Sequence, residues 1–200
     1  MRPLVLLLAL ALAGCAAAPP LAPADASAWP ARREALQALP SWALDGRVAV
    51  ATPAEGWSAS LDWRQQGERS ELNVRGPLGT GAARVTVEGR NVRIEEGHGA
   101  VVDTTDDGPE FAARIGAPLP VARLRFWVLG VPAPGEPAQE TLGPDGRLVS
   151  LAQSGWSVRY GEYADGAGGE LPRRVVAERE DVRVKLVIER WRVPAEGGAP

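Results

Sequence analysis

From Trp57 onward the chain alternates. Trp57, Ala59, Leu61 and Trp63 are separated by Ser58, Ser60 and Asp62, the period-two pattern of a strand with one buried face. Shorter runs of the same kind follow at Leu72 and Val74, Val85 and Val87, and Val92 and Ile94. Turn residues separate them at roughly 8–12 residue spacing, which predicts an antiparallel meander closing toward a barrel or sandwich. After residue 145 the pattern resumes: Asp145-Gly146 is a hairpin signal before a strand over 147–153. Trp156, Val158 and Tyr160 alternate, and Val175 and Ala177 suit pairing with Val182, Val184, Leu186 and Ile188 across a turn at Glu180-Asp181.

Three stretches carry helical spacing instead. Residues 29–39 place Ala35, Leu36 and Leu39 on one side of Arg32, Arg33 and Glu34, with Pro30 in the first turn and Pro40 as the stop. Residues 106–115 start at Asp106, Asp107 and Pro109 and stop at Gly116. In residues 121–129, Leu124, Trp127 and Val128 share a face and Gly130 is the C-terminal stop. Prolines at 118, 120, 132, 134 and 137 bracket this pair, so it reads as a lid or plug between two groups of strands. No internal repeat is visible.

The first residues read as an address. Met1, Arg2 and Pro3 precede an apolar run over 4–13, too short to span a ~30 Å hydrocarbon core as a helix. A basic start, a short apolar stretch and small residues at the cut site are the features of a secretory signal peptide over residues 1–14. Cys15, the only cysteine, follows Leu12-Ala13-Gly14 directly. This run resembles the bacterial lipobox, which implies cleavage before Cys15 and acylation of its thiol; an ordinary secreted protein with an incidental cysteine is the other reading. Residues 15–28 are Ala/Pro-rich without periodicity and form an extended tether. That leaves one domain over 29–193 and a flexible tail over 194–200.

Composition narrows the chemistry. The 200 residues are 45% hydrophobic and 24% charged, a globular mixture. A net charge of −3 argues against a nucleic-acid binder. One Cys excludes an internal disulfide framework, and one His weakens any metal centre or triad. His98 sits in a turn without a nucleophile or carboxylate motif to serve, and reads as a surface histidine. Asp103, Asp106 and Asp107 cluster where acidic residues favour a helix dipole; a metal site is the alternative. Gly79-Thr80-Gly81 lacks the continuation that would cradle a phosphate, and no Gly-x-Ser-x-Gly elbow is present. The expectation is a protein that is not an enzyme and needs no cofactor or metal.

Two features point toward apolar ligands. There are seven Trp against two Phe and two Tyr. Such rings suit the lining of a cavity inside an incompletely closed barrel, and they suit a plain packed core. In Arg75-Gly76-Pro77-Leu78-Gly79, Pro at the second turn position and Gly at the fourth fit a type I turn with Leu78 at its tip. Burying a Leu is worth ~1.5–3 kcal/mol, so a tip Leu either seeks a partner or membrane or folds back onto its own sheet.

Two further segments complete a set. They are Leu119-Pro120-Val121…Leu124…Trp127-Val128-Leu129-Gly130-Val131-Pro132, and Gln153-Ser154-Gly155-Trp156-Ser157-Val158. With the lipobox, Trp57…Trp63 and Gly76-Pro77-Leu78-Gly79, and in this order from Cys15 to Trp191, they resemble the LolB family of outer-membrane lipoproteins. The match is weaker over 165–170 and after Trp191. The resemblance implies a mainly β fold with inserted helices: a half-open antiparallel β-barrel, LolA/LolB-like, with a helical lid over an apolar cavity. It implies a monomer anchored through Cys15 to the periplasmic face of the outer membrane, Ala16 in place of Asp directing it there. It also implies a receptor that takes lipoproteins from the periplasmic carrier LolA by their acyl chains, with Leu78 as the exposed loop residue that aids release into the membrane. Candidate cavity residues are Trp42, Trp57, Trp63, Leu124, Trp127 and Trp156. A lipocalin-like binder of another apolar ligand and a structural lipoprotein of an outer-membrane assembly are the rival readings.

Overall fold

The computed structural model describes residues 28–77, 81–106, 108–164 and 170–194. Cys15 with the expected signal peptide, most of the tether, Leu78 and the tail beyond 194 therefore lie outside the described residues, as does Asp107. Within them the chain runs α1 (Trp29–Gln37), β1 (Ser41–Ala51), β2 (Gly56–Gln66), β3 (Arg69–Arg75), β4 (Ala83–Glu88), β5 (Asn91–Glu96) and β6 (Val101–Thr105). Then come α2 (Pro109–Ile115), α3 (Val121–Trp127), β7 (Ala138–Leu142), β8 (Leu148–Gln153), β9 (Trp156–Ala164), β10 (Leu171–Arg179) and β11 (Val182–Arg192).

All described strands join one antiparallel sheet in the order β6-β5-β4-β3-β2-β1-β11-β10-β9-β8-β7. The first and last strands pair at its centre, and β6 and β7 are its two edges. The chain walks outward to one edge, crosses through α2 and α3, and returns from the other. The sheet is open, a half-barrel rather than a closed one. The helical pair lies against its inner face, where closure would otherwise fall.

Alternation decides which face is inner. Leu44 and Val50 of β1, Leu61 and Trp63 of β2, Val85 and Val87 of β4, and Val184, Leu186 and Ile188 of β11 are all buried. The intervening positions carry charges that pair across the outer face, as Arg93 does with Asp103 at 2.8 Å and Arg159 with Glu178 at 2.8 Å. Such exposed pairs add little stability and mainly keep the face soluble.

The helices follow their punctuation. α2 begins at Pro109 rather than 106, because Pro fits the first turn and residues before it are held out of the helical region. It ends at Gly116, whose N–H still reaches the Ala112 carbonyl and whose φ of +88° turns the chain out of the helix. Gly130 (φ +79°) stops the turn after α3 while the Val131 N–H reaches the Phe126 carbonyl. α1 is shorter than predicted and packs Trp29 and Leu36 inward. It is fixed to the β7 side of the sheet: Trp29 Nε1 and Arg33 Nη1 both donate to the Glu140 carboxylate, at 2.6 and 2.9 Å.

Three strands, β1, β6 and β7, are not predicted by the alternation pattern. β6 and β7 are edge strands with few apolar residues, a pattern that ordinary loops share. In β1 the inward series Trp42, Leu44, Gly46, Val48, Val50 is interrupted by Gly46 and blurred by alanines on the other face. Gly46 is required there. The pairing of β1 with β11 shifts register between Asp45 and Gly46, and a Cβ on Gly46 would lie 2.3 Å from the Val187 carbonyl oxygen. Gly46→Ala is expected to destabilise the fold by about 1–3 kcal/mol. In a thermal scan that is a fall in Tm of roughly 2–12 °C, at about 2–4 °C per kcal/mol for a chain of this size.

Candidate functional site

Between the inner face and the helical pair lies a cavity of ≈ 90 Å³ with a wholly apolar lining. Leu61, Trp63, Leu72 and Val85 wall it from the sheet, and Phe111, Leu119, Val121 and Leu124 roof it from the helices. Among the described residues no titratable group lines it. Water gains nothing in such a space, because it would find no polar partner there. A cavity of about 150 Å³ takes one benzene, so the closed cavity is too small for a long alkyl chain. Anything of that size enters only as the helices move off the sheet.

The two helices are held differently. Trp127, at the end of α3, starts a buried run through Ala133. The run is fastened to β8 by one side chain, the buried Gln153. Its Oε1 accepts from Trp127 Nε1 at 2.8 Å and from the Ala133 N–H at 2.9 Å, and its Nε2 donates to the Ala133 carbonyl at 2.8 Å. Nearby, Arg123 grips Glu136 with contacts of 2.6–3.1 Å. Hydrogen bonds from Arg123, and one from Ser154, hold the Glu136 carboxyl below its ordinary range. α2 has only Phe111 fully buried. Its last turn meets the sheet through Trp57 Nε1, which donates to the Ile115 carbonyl at 2.9 Å, and through Arg114, 2.8 Å from Glu96.

Of the residues proposed for the cavity, Trp57, Trp63 and Leu124 line it. Trp42, Trp127 and Trp156 do not. Trp42 is wedged between Trp63 (ring centroids 5.2 Å apart) and Trp191 (5.5 Å). Trp127 and Trp156 pack on each other at 6.1 Å, with the Arg179 guanidinium over Trp156. All three rings are inward, as their strand or helix phase requires, but meet other rings before they reach the void.

Other singled-out residues fall into structural roles. His98 lies 2.7 Å from Glu96 on the β5–β6 turn. Asp103 pairs with Arg93, and the buried Asp106 lies 3.7 Å from Arg90. The sequence pattern singles out neither most of the cavity lining, such as Leu61, Leu72, Val85, Phe111, Leu119 and Val121, nor Gln153 and the inward-facing Glu140. Gln153 shares the inward phase of Leu151, and that two-residue spacing was the available signal.

Leu78 lies outside the described residues together with 79 and 80. Pro77 and Gly81 border an open groove of ≈ 940 Å³ at one end of the half-barrel. Trp57, Val74, Val85 and Ile115 belong to both groove and cavity.

An open antiparallel half-barrel whose inserted helices roof an apolar hollow defines a LolA-type fold, and solved structures agree. A LolA superfamily protein from Nitrosomonas europaea superposes with a TM-score of 0.53 at 10% identity, over 82% of this chain and 93% of that one. A putative outer membrane lipoprotein-sorting protein domain from Vibrio parahaemolyticus gives 0.52 at 7%, over 88% and 93%. In sequence, the outer membrane lipoprotein LolB family pattern matches residues 40–191. The outer-membrane lipoprotein LolB of Pseudomonas putida (strain GB-1) is 35% identical over 84% of this chain and 82% of its own. That of Stutzerimonas stutzeri (strain A1501) is 34% identical over 92% and 91%. The chain belongs to the LolB family.

Proposed function

We propose that this protein is a receptor at the outer membrane that accepts lipoproteins from a soluble periplasmic carrier, LolA, and delivers them to the bilayer. The observation that supports it is the wholly apolar cavity under helices that only partly fasten to the sheet. A sixteen-carbon acyl chain costs on the order of 12 kcal/mol to expose to water, at ~0.8 kcal/mol per CH₂. A lipoprotein with several such chains needs a shielded route across the periplasm and an acceptor at the end of it. Hand-off requires no nucleotide where the acceptor binds more tightly, since each 1.4 kcal/mol shifts the equilibrium tenfold. Cys15 is the anchor in this reading: two or three acyl chains hold a protein on a membrane, where one short chain binds marginally.

Leu78 is the residue assigned to release. A leucine entering the bilayer surface contributes ~1.5–3 kcal/mol, and a carboxylate in its place contributes none of this. Leu78→Glu is expected to leave folding and acyl-chain uptake unchanged. Delivery of a labelled lipoprotein into outer-membrane vesicles should slow by about ten- to a hundredfold, at 1.4 kcal/mol per factor of ten. Normal delivery by this variant would remove the loop from the mechanism.

A further inference from the structure

We infer that acyl chains pass in and out of the cavity between the end of α2 and the sheet at Val74 and Val85, and that the Trp57 indole is the catch holding this port shut. The inference rests on the receptor reading and specifies its route. Among the described residues three grooves adjoin the cavity, two of them on the side of Trp57 and Pro77. The largest shares Trp57, Val74, Val85 and Ile115 with it; the rest of its wall carries small residues, including Gly76, Ala82 and Ala83, with Glu96, His98 and Arg114 along one side. Another, of ≈ 480 Å³, touches the cavity at Leu119, just before α3, and is rimmed by Arg90 with Asp106 and by Arg123 with Glu136. Paired charges stand at both of these, Glu96 with Arg114 and His98 at the first. But the first is continuous with the cavity through four apolar residues and the second through Leu119 alone, so once the Arg114–Glu96 pair parts an alkyl chain keeps apolar contact along the first path.

The fastening of the helices selects the same side. The α3 end is rooted by Gln153, whose removal from its partners would strand several buried polar groups. The α2 end is released by parting the Trp57–Ile115 hydrogen bond and the partly exposed Arg114–Glu96 pair. In the open state the Ile115 carbonyl meets water, so loss of the indole N–H weakens the closed state alone. Trp57→Phe keeps an apolar ring in the wall and deletes the donor. Trp57 is a positioning residue in this scheme, acting on α2. The port opens into the groove bordered by Pro77 and Gly81.

The test uses the full-length protein in cells, with a photo-crosslinking amino acid at Leu72 in the cavity wall, Ala82 in the first groove, or Ala122 in the second. Val48 is a second wall position should the Leu72 replacement not fold. The probe is one epitope-tagged triacylated lipoprotein, with its non-acylated cysteine variant as control. Adducts are expected at Leu72 and Ala82 and not at Ala122. Trp57→Phe should raise the Leu72 adduct about two- to tenfold, the population shift that one hydrogen bond gives. Adducts at Leu72 and Ala122 without Ala82 would overturn the port and leave the receptor reading standing. A Leu72 adduct indifferent to Trp57→Phe would overturn the catch. Absence of adducts at both Leu72 and Val48 would overturn the receptor reading, and the port with it.

Discussion

Cells depleted of this protein are expected to accumulate triacylated lipoproteins in the periplasm, bound to their carrier, while the outer membrane loses them. The size of the effect follows from the cost of exposing the chains. At on the order of 12 kcal/mol per sixteen-carbon chain, unassisted escape from a shielding carrier into water is suppressed by about eight to nine orders of magnitude. Leakage therefore cannot replace an acceptor that receives chains without exposing them. Fractionation of depleted cells, with one reporter lipoprotein followed by immunoblot, checks this. A lipocalin-like binder of another ligand, or a structural lipoprotein, would leave the reporter in the outer membrane, and that result would favour those rivals.

Gln153→Leu is expected to cost more stability than any single exposed change. Leucine fills most of the space but offers no polar atom. The Trp127 indole N–H, the Ala133 N–H and the Ala133 carbonyl then lose a partner in a buried setting. At about 1–3 kcal/mol for each stranded group, partly relieved by local adjustment, the loss is about 3–6 kcal/mol. That lowers Tm by roughly 6–24 °C. Trp127→Phe leaves the Ala133 bonds intact and should cost less than half as much. A Gln153→Leu protein that melts within a few degrees of the parent would show that β8 does not root the helical pair.

The sequence displayed some of this fold and hid the rest for physical reasons. Trp57 to Trp63 was legible because one face of β2 is solvated and the other buried, which writes a strict two-residue period. The helical pair was legible through Pro109, Gly116 and Gly130, residues whose backbone limits act locally. β6 and β7 were not, because an edge strand needs few apolar side chains once its neighbour covers one side. β1 was obscured by Gly46, whose reason for being there is the Val187 carbonyl, 141 positions along the chain. The cavity residues divide on the same principle. Periodicity reports that Trp42, Trp63 and Trp156 face inward, but not which of them meets another ring and which meets a void. That distinction is set by three-dimensional neighbours alone, as Trp63 beside the cavity and Trp42 behind it illustrate. Gln153 was hidden for the opposite reason: a polar residue in an inward phase looks like an exception until its partners at 127 and 133 are brought to it.

The most direct measurement is quenching of tryptophan fluorescence by a lipopeptide whose acyl chains carry bromine along their length. Bromine quenches at near contact, so it reports which rings the chains lie against. Chains in the cavity should quench Trp57 and Trp63, and replacing both with Phe should abolish most of the signal while Trp127→Phe changes little. Quenching that survives the double replacement would put the chains elsewhere and contradict the account.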